Sequence, residues 1–197
     1  MHSPFLLDTN AYALLFEYPR TELYSNLKDK ITVDGVMKFR IPDIVSMEIH
    51  SVIGARRRGG NNAQNQACDR HVQSGDEVIL CTHTCVFRKN HRLKPKMFRD
   101  IQKLIKDIES KSGDIQADII PSSSEDLIYA KSLLITYADR YAFGSHDALV
   151  GGVVLGARKK GDNLTLVTSD KALKAVCNAE GIPVFDPRTP NQATALA

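Results

Sequence analysis

The strongest constraint on the fold of this chain is a pair of short apolar runs that each stop abruptly on polar residues. Residues 5–7 are followed by Asp8, and residues 164–167 are followed by a threonine, a serine and Asp170. Runs this short and apolar are typical of strands buried on both faces, as in parallel sheets covered by helices. Helical patterns alternate with these strands, which predicts right-handed crossovers. We therefore expect an α/β protein with three layers, α/β/α, and a central, mostly parallel sheet.

Composition narrows the class of protein further. The chain has 197 residues and a net charge of +3, which fits a globular domain. A charge this small does not by itself indicate nucleic-acid binding, so its distribution matters more than its sum. The amino terminus lacks the basic and apolar regions of a signal peptide, and no apolar run approaches a membrane span. We expect a cytoplasmic protein with no membrane partner and with reduced cysteines.

Four carboxylates are predicted to meet at the carboxyl edge of the sheet. Asp8 and Asp170 directly follow predicted strands, where parallel sheets place their ligand crevices. Asp147 lies in the first turn of a buried helix predicted after residue 145, and Glu48 lies on a helix predicted over 43–57. Like charges crowded in this way repel unless a cation neutralises them. Oxygen ligands without paired Cys or His favour Mg²⁺ or Mn²⁺ over zinc.

Glu48 is predicted to lie within the apolar stripe of its helix. On a helical wheel it falls between Ile44 and Val52. A buried carboxylate without a partner is costly, so this one needs a cation, a donor or a proton. The alternatives are a glutamate at the edge of the stripe that reaches water, or one paired with an arginine.

The other acids also have purely structural interpretations. Asp8 is an ordinary N-cap residue for the helix that follows it. Asp147 complements the dipole at the start of its helix. His146, beside it, is expected to be a packed or surface histidine rather than a ligand. The metal hypothesis fails only if all of these structural interpretations are correct at the same time.

The cysteines offer a different metal site. Cys81, His83, Cys85 and His91 are close in sequence. Their spacing lacks the two-residue knuckle and the second ligand pair of structural zinc sites, which favours ordinary cysteines.

A carboxylate-held Mg²⁺ with open water positions suits hydrolysis of phosphate esters. The sequence contains no Ser-His-Asp set, phosphate-binding glycine loop or dinucleotide fingerprint that would indicate other chemistry. A basic segment supports a polyanionic substrate. It contains Arg88, Lys89, Arg92, Lys94 and Lys96, and the predicted helix after Pro95 continues it. This segment is interpreted as a phosphate-tracking surface, with a solvated helix face as the alternative.

Local signals predict several further elements. They are a partly helical stretch at 61–74, an extra strand at 78–80, a helix over 125–141 opened by a capping box of Ser122 and Glu125, and a helix over 146–159 with Ser145 as its N-cap.

The four acidic motifs, taken in order, resemble those of PIN-domain nucleases and are most similar to VapC-like toxin ribonucleases. The resembling motifs are Leu7–Asn10, Glu48 after Ile41 and Pro42, His146–Leu149, and Val167–Asp170. The resemblance implies a Rossmann-like sheet and a metal-dependent endoribonuclease. It also implies that Asp8, Glu48, Asp147 and Asp170 bind Mg²⁺ or Mn²⁺, that Asn10 and Ser169 support them, and that the partners are RNA, a cognate antitoxin and a second copy of the chain.

The chain is longer than typical toxins of this kind. We predict a single PIN-like domain over 1–197 with an insertion at about 59–124 and a loose tail at about 187–197. Two other functions stay open. One is a catalytically silent PIN module that binds RNA or protein. The other is a haloacid-dehalogenase-like phosphatase, which would want a second Asp where Asn10 stands.

Overall fold

The structure is a computed structural model that describes residues 4–59, 63–67, 71–74, 76–80, 84–88 and 92–189. These residues form two compact units. The first unit combines the chain up to Ser51 with the chain from Asp100 onward, and the second runs from Val52 to Arg99. All four predicted site acids belong to the first unit.

The secondary structure of the described ranges consists of ten strands, seven α-helices and a short 3₁₀ helix at Leu14–Phe16. The strands are β1 (Phe5–Leu7), β2 (Thr32–Val33), β3 (Val36–Pro42), β4 (Ala63–Ala67), β5 (His71–Ser74), β6 (Glu77–Leu80), β7 (Thr84–Arg88), β8 (Ile115–Ile120), β9 (Thr165–Val167) and β10 (Val184–Phe185). The helices are α1 (Thr9–Ala13), α2 (Glu22–Ile31), α3 (Asp43–Arg58), α4 (Pro95–Glu109), α5 (Ser124–Tyr137), α6 (Ser145–Lys159) and α7 (Lys171–Ala179).

The first unit is built on a sheet of five parallel strands in the order β10, β9, β1, β3, β8. The short β2 pairs antiparallel with the start of β3. Leu6 and Leu7 of β1 and Leu166 and Val167 of β9 have no exposed surface, because helices cover the sheet on both faces. The three-layer α/β/α fold with a mostly parallel sheet is confirmed.

The register of β1 and β9 sets up the carboxyl edge of the sheet. Leu7 pairs with Val167, and the amide of Asp8 donates to the carbonyl of Val167 at 3.1 Å. Asp8 and Thr168 therefore leave the sheet side by side. Because β9 and β3 flank β1 on opposite sides, this edge is also where the strand order reverses, the usual position of a ligand crevice.

The buried face of helix α3 is not the face that the sequence predicts. Val45 and Ile49 are fully buried, whereas Ile44 is only partly so. The apolar stripe therefore runs through Val45 and Ile49, and Glu48 lies on its flank with 30% of its side chain exposed. The prediction that Glu48 lies inside the stripe is wrong, and the alternative of a glutamate at the edge is correct.

Two predicted helix starts are shifted by one residue, for identifiable reasons. Ser122 does not cap α5, because hydrogen bonds from its amide and hydroxyl to the carboxylate of Asp43 fix the direction of its side chain. The capping box is formed instead by Ser123 and Asp126. The N-cap of α6 is Gly144, not Ser145, and the amide of this glycine donates back to the side chain of Asp147.

The second unit corrects another element. Residues 63–67 and 71–74 are the strands β4 and β5, so the prediction of partial helix at 61–74 is wrong. β4 pairs antiparallel with β7, and β5 pairs antiparallel with β6, which confirms the predicted extra strand at 78–80. Pairing with a partner strand outweighs the weak local preference of these polar sequences.

The boundaries of the second unit differ from those of the predicted insertion. The predicted insertion at 59–124 overlaps the second unit, but β8, within that range, belongs to the sheet of the first unit. The single-domain organisation stays a prediction.

The predicted tail is described only to residue 189, and residues 190–197 lie outside the described ranges. In the part of the chain that the structure describes, no helix is both long and apolar enough to span a membrane.

Candidate functional site

Asp8 is a buried carboxylate whose two oxygens have different partners. It is 5% exposed and is the N-cap of α1. Its Oδ1 accepts from the amide of Ala11 at 2.6 Å, and its Oδ2 accepts from the hydroxyl of Thr168. The capping role foreseen for Asp8 is therefore real. It does not exclude a functional role, because each carboxylate oxygen has a second lone pair.

Thr168 connects Asp8 to the next acid. Its hydroxyl, which donates to Asp8, also accepts from the amide of Asp170 at 3.0 Å. Asp170 caps α7 by accepting from the amide of Leu173 at 2.8 Å. The fully buried hydroxyl of Thr168 thus fixes the spacing between two site acids. Sequence reasoning singled out Ser169 and missed Thr168.

Glu48 is held between two other helices. Its Oε2 accepts from the hydroxyl of Thr9, in the first turn of α1. Its Oε1 lies 3.4 Å from Nδ1 of His146, in the first turn of α6. The partner of Glu48 is therefore not an arginine. His146 is 57% exposed, as expected for a surface histidine, but it contacts a site acid.

The pKa values of Asp8 and Asp147 respond to burial and to the charges of the neighbouring site acids. Burial raises the pKa of Asp8 to about 6, and the charges of Asp147 and Asp170 add to this, although hydrogen bonds from Thr168 and Ala11 oppose it. Burial also raises the pKa of Asp147, with further contributions from Asp170 and Glu48. Side chains from α1, α3, α6 and the loop after β9 therefore share one region of negative potential.

This region lacks a neutralising side chain. Across the described ranges, no lysine or arginine forms an ion pair with any of the four acids, and His146 alone contacts one of them. The donor set is entirely carboxylate oxygen, which fits a hard divalent cation such as Mg²⁺ or Mn²⁺. The described residues contain no group of three or more His, Cys, Asp or Glu side chains already arranged to hold a metal ion. The chemistry of the donors fits such an ion, but their present positions do not form a closed coordination shell.

Asp186 provides a useful contrast. It follows β10 at the same edge of the sheet and is 9% exposed. Burial works to raise its pKa, but bonds from Lys174, the amide of Arg188 and Ser169 prevail, so the pKa lies below its usual range. Asp186 is thus a neutralised structural carboxylate, unlike the four site acids.

The remaining predicted residues have varied positions. Ser169 donates to Asp186 at 2.8 Å, and Asn10 is exposed on α1, so their supporting roles stay predictions. Arg92, Lys94 and Lys96 are exposed. Nε of Arg92 donates to the carbonyl of Arg57 at 3.0 Å.

Some predictions lie outside the described residues. They concern Lys89, Cys81, His83 and His91, together with the side chains of Arg88 and Cys85.

Comparison with known proteins finds similarity of structure only. No family model and no curated protein matches the sequence. FitAcB from Neisseria gonorrhoeae superposes with a TM-score of 0.55 at 13% identity, covering 93% of this chain and 98% of that chain. VapBC2 from Rickettsia felis, bound to a DNA fragment from its promoter, gives 0.51 at 16% identity, covering 92% and 97%. A toxin–antitoxin complex from Klebsiella pneumoniae gives 0.50 at 16% identity, covering 93% and 97%. At these identities the likeness is one of fold.

Proposed function

We propose that this protein is a Mg²⁺- or Mn²⁺-dependent endoribonuclease and the toxin of a toxin–antitoxin pair. The observation that carries the proposal is the cluster of Asp8, Glu48, Asp147 and Asp170. These acids come from four separate segments and have no lysine or arginine partner in the described ranges; the charges of Asp147 and Asp170 add to the raised pKa of Asp8, and those of Asp170 and Glu48 add to the raised pKa of Asp147. A protein that keeps uncompensated carboxylates together loses stability unless a cation binds them.

The divalent ion, when bound, supplies an activated water and neutralises charge that develops on the phosphate. The protein orients the acids that bind it. Asp8 and Asp170 are fixed by their capping bonds and by the hydroxyl of Thr168 between them. Asp147 is held by the amide of Gly144.

The choice of substrate and partners rests on two further observations. Exposed cations at Arg92, Lys94 and Lys96 suit the phosphates of RNA. The similar Klebsiella pneumoniae structure is a toxin–antitoxin complex, and the fold matches over 93% of this chain. An acidic site that binds metal fits the nuclease component of such a pair better than its inhibitor. A cognate antitoxin and a second copy of this chain are the proposed protein partners.

The test is cleavage of a single-stranded RNA in the presence of Mg²⁺. We expect Asp8→Asn to lower the rate by at least about 100-fold, because the charge lost contacts the reacting centre directly. EDTA should abolish cleavage by the wild type. The control is Asp139→Asn, which removes a carboxylate that is three-quarters exposed, and it should cut at the wild-type rate.

The alternatives give different outcomes in the same assay. The first alternative is a catalytically silent module. It would bind RNA without cutting it, with or without metal. A phosphatase would hydrolyse p-nitrophenyl phosphate and leave RNA intact. Equal cleavage by wild type and Asp8→Asn would refute the proposed chemistry.

A further inference from the structure

Glu48 is the one site acid whose carboxylate plays no part in starting a helix. Asp8 and Asp170 are N-caps, and Asp147 accepts from the N-cap amide of its own helix. Glu48 lies in the interior of α3 with 30% of its side chain exposed. Fixing a side chain of this length costs up to about 2 kcal/mol of rotamer entropy. Its orientation therefore depends on whatever its carboxylate contacts.

The first contact is Thr9. The backbone of this residue is fixed because it directly follows the N-cap Asp8, whose side chain already binds the amide of Ala11. The Thr9 hydroxyl donates to Oε2 of Glu48. One rigid segment thus holds the Asp8 carboxylate and orients the Glu48 carboxylate.

The second contact is His146. It is adjacent to Asp147 in the first turn of α6, and its Nδ1 lies 3.4 Å from Oε1 of Glu48. The two oxygens of Glu48 are therefore contacted from two different helices, by the neighbours of two other site acids. Such paired contacts fix both the position and the rotation of a carboxylate.

We propose that Thr9 and His146 are positioning residues that hold Glu48 toward the metal-binding acids. This inference rests on the proposed function, since it concerns the same site. Neither residue needs to touch the metal or the substrate. Because they act through Glu48, replacing them should change the affinity for the metal ion. Loss of a purely structural hydrogen bond would not have this effect.

The experiment measures Mn²⁺ binding to the full-length protein by calorimetry, without RNA. Thr9→Val removes the hydroxyl and keeps the shape, and His146→Ala removes the imidazole. Each should raise the Kd for Mn²⁺ by about 10-fold, the usual effect of losing a residue that orients a ligand. Thr9→Ser and His146→Asn retain a donor at the same position, and they should restore the Kd to within about threefold of wild type.

Two controls separate positioning from stability. Thr21→Val removes the hydroxyl that caps α2, so it should lower the melting temperature and leave the Kd unchanged. His50→Ala removes an exposed histidine of α3 that forms no ion pair with the site acids, and it should also leave the Kd unchanged. In a Glu48→Gln background, Thr9→Val and His146→Ala should have almost no further effect on the Kd.

The outcomes distinguish this inference from the proposed function. Wild-type protein that neither binds Mn²⁺ nor cuts RNA would overturn both. Wild-type protein that does both, while Thr9→Val and His146→Ala keep its Kd, would overturn the positioning role alone. Equal effects of Thr9→Val with and without Glu48 would also overturn it.

Discussion

Asp8 combines two roles that sequence reasoning treats as alternatives. As an N-cap it satisfies an amide of α1, and this fixes the direction of its carboxylate. As a buried charge beside Asp147 and Asp170 it opposes folding of the metal-free protein. The capping bond is what makes the second role possible, because a freely rotating side chain would turn toward water.

The raised pKa of Asp8 predicts how the stability of the metal-free protein depends on pH. The pKa is about 6 in the folded state, compared with 3.8 for an ordinary aspartate, so the folded state binds more protons between these values. Stability is therefore lost as pH rises from about 4 to above 6, by roughly 2–3 kcal/mol. Asp8→Asn keeps a capping oxygen and removes this titration. We expect the variant to gain stability relative to wild type at pH 7 but not at pH 4.

Urea denaturation in EDTA at both pH values measures this difference. Asp139→Asn, which changes an exposed carboxylate, should follow the wild type at both. A constant difference between Asp8→Asn and wild type across the range would contradict the effect of burial on Asp8.

At this scale the sequence reveals charges better than it reveals their partners. Asp8 and Asp170 could be identified because each follows a strand short and apolar enough to be recognised. Thr168 and Ser169 could not be distinguished, since successive residues leaving a strand point in different directions. The contacts of Thr9 and His146 with Glu48 join segments far apart in sequence, so no local pattern encodes them.

Helices α5 and α6 approach so closely that glycine is required between them. A Cβ at Gly152 would lie 2.4 Å from the backbone oxygen of Asp126, and one at Gly156 would lie 1.9 Å from its Oδ1. Asp126 is 3% exposed and forms the capping box with Ser123, so it has little freedom to move. Since Asp147 lies in the first turn of α6, this packing also sets the position of a site acid.

Gly152→Ala should therefore destabilise the protein by roughly 1–3 kcal/mol, the usual range for overpacking, despite the better helix propensity of alanine. Thermal or urea denaturation measures the loss. The matched control is Gly113→Ala, where a Cβ would meet nothing within 4 Å. Similar stability of the two variants would show that the helices can separate without cost.

The sequence predicted elements where one signal dominates. The apolar run of β9 and the buried helix α6 were recovered almost to the residue. The strands β4 and β5 were missed because their sequences are polar and short, and only pairing with β7 and β6 makes them strands. The caps were missed for a related reason. Ser122 has good capping chemistry, but its side chain is oriented by hydrogen bonds to Asp43, which is distant in sequence.

For the whole molecule, chain connectivity predicted the class of sheet but not its order. Right-handed crossovers between parallel strands leave either edge of β1 open to β3 or β9. The structure places them on opposite sides, which brings the acids that follow β1 and β9 together with Glu48 of α3. The boundary of the second unit at residues 52–99 was not foreseen, because it falls inside the continuous helices α3 and α4, where the sequence contains no linker.

The proposed RNA binding depends on the exposed lysines near the start of α4, which belong to the second unit. Lys94 and Lys96 are exposed, and each is expected to contact about one phosphate. Charge reversal of both, Lys94→Glu with Lys96→Glu, should weaken binding to single-stranded RNA. It should also reduce the magnitude of the negative slope of log K against log salt by about 1.4, since each contact contributes about 0.7. Binding is measured by fluorescence anisotropy at several salt concentrations, using the Asp8→Asn background to prevent cleavage.

Net charge alone would also weaken binding to a polyanion, so the control must change it equally. Lys28→Glu with Lys131→Glu reverses two exposed lysines of α2 and α5. Because long-range attraction is screened within about 10 Å at 0.1 M salt, this variant should lower affinity slightly and leave the slope near that of the parent. If both double variants changed the slope equally, the basic segment would be an ordinary solvated surface, and RNA would have to reach the acids by contacts with other residues.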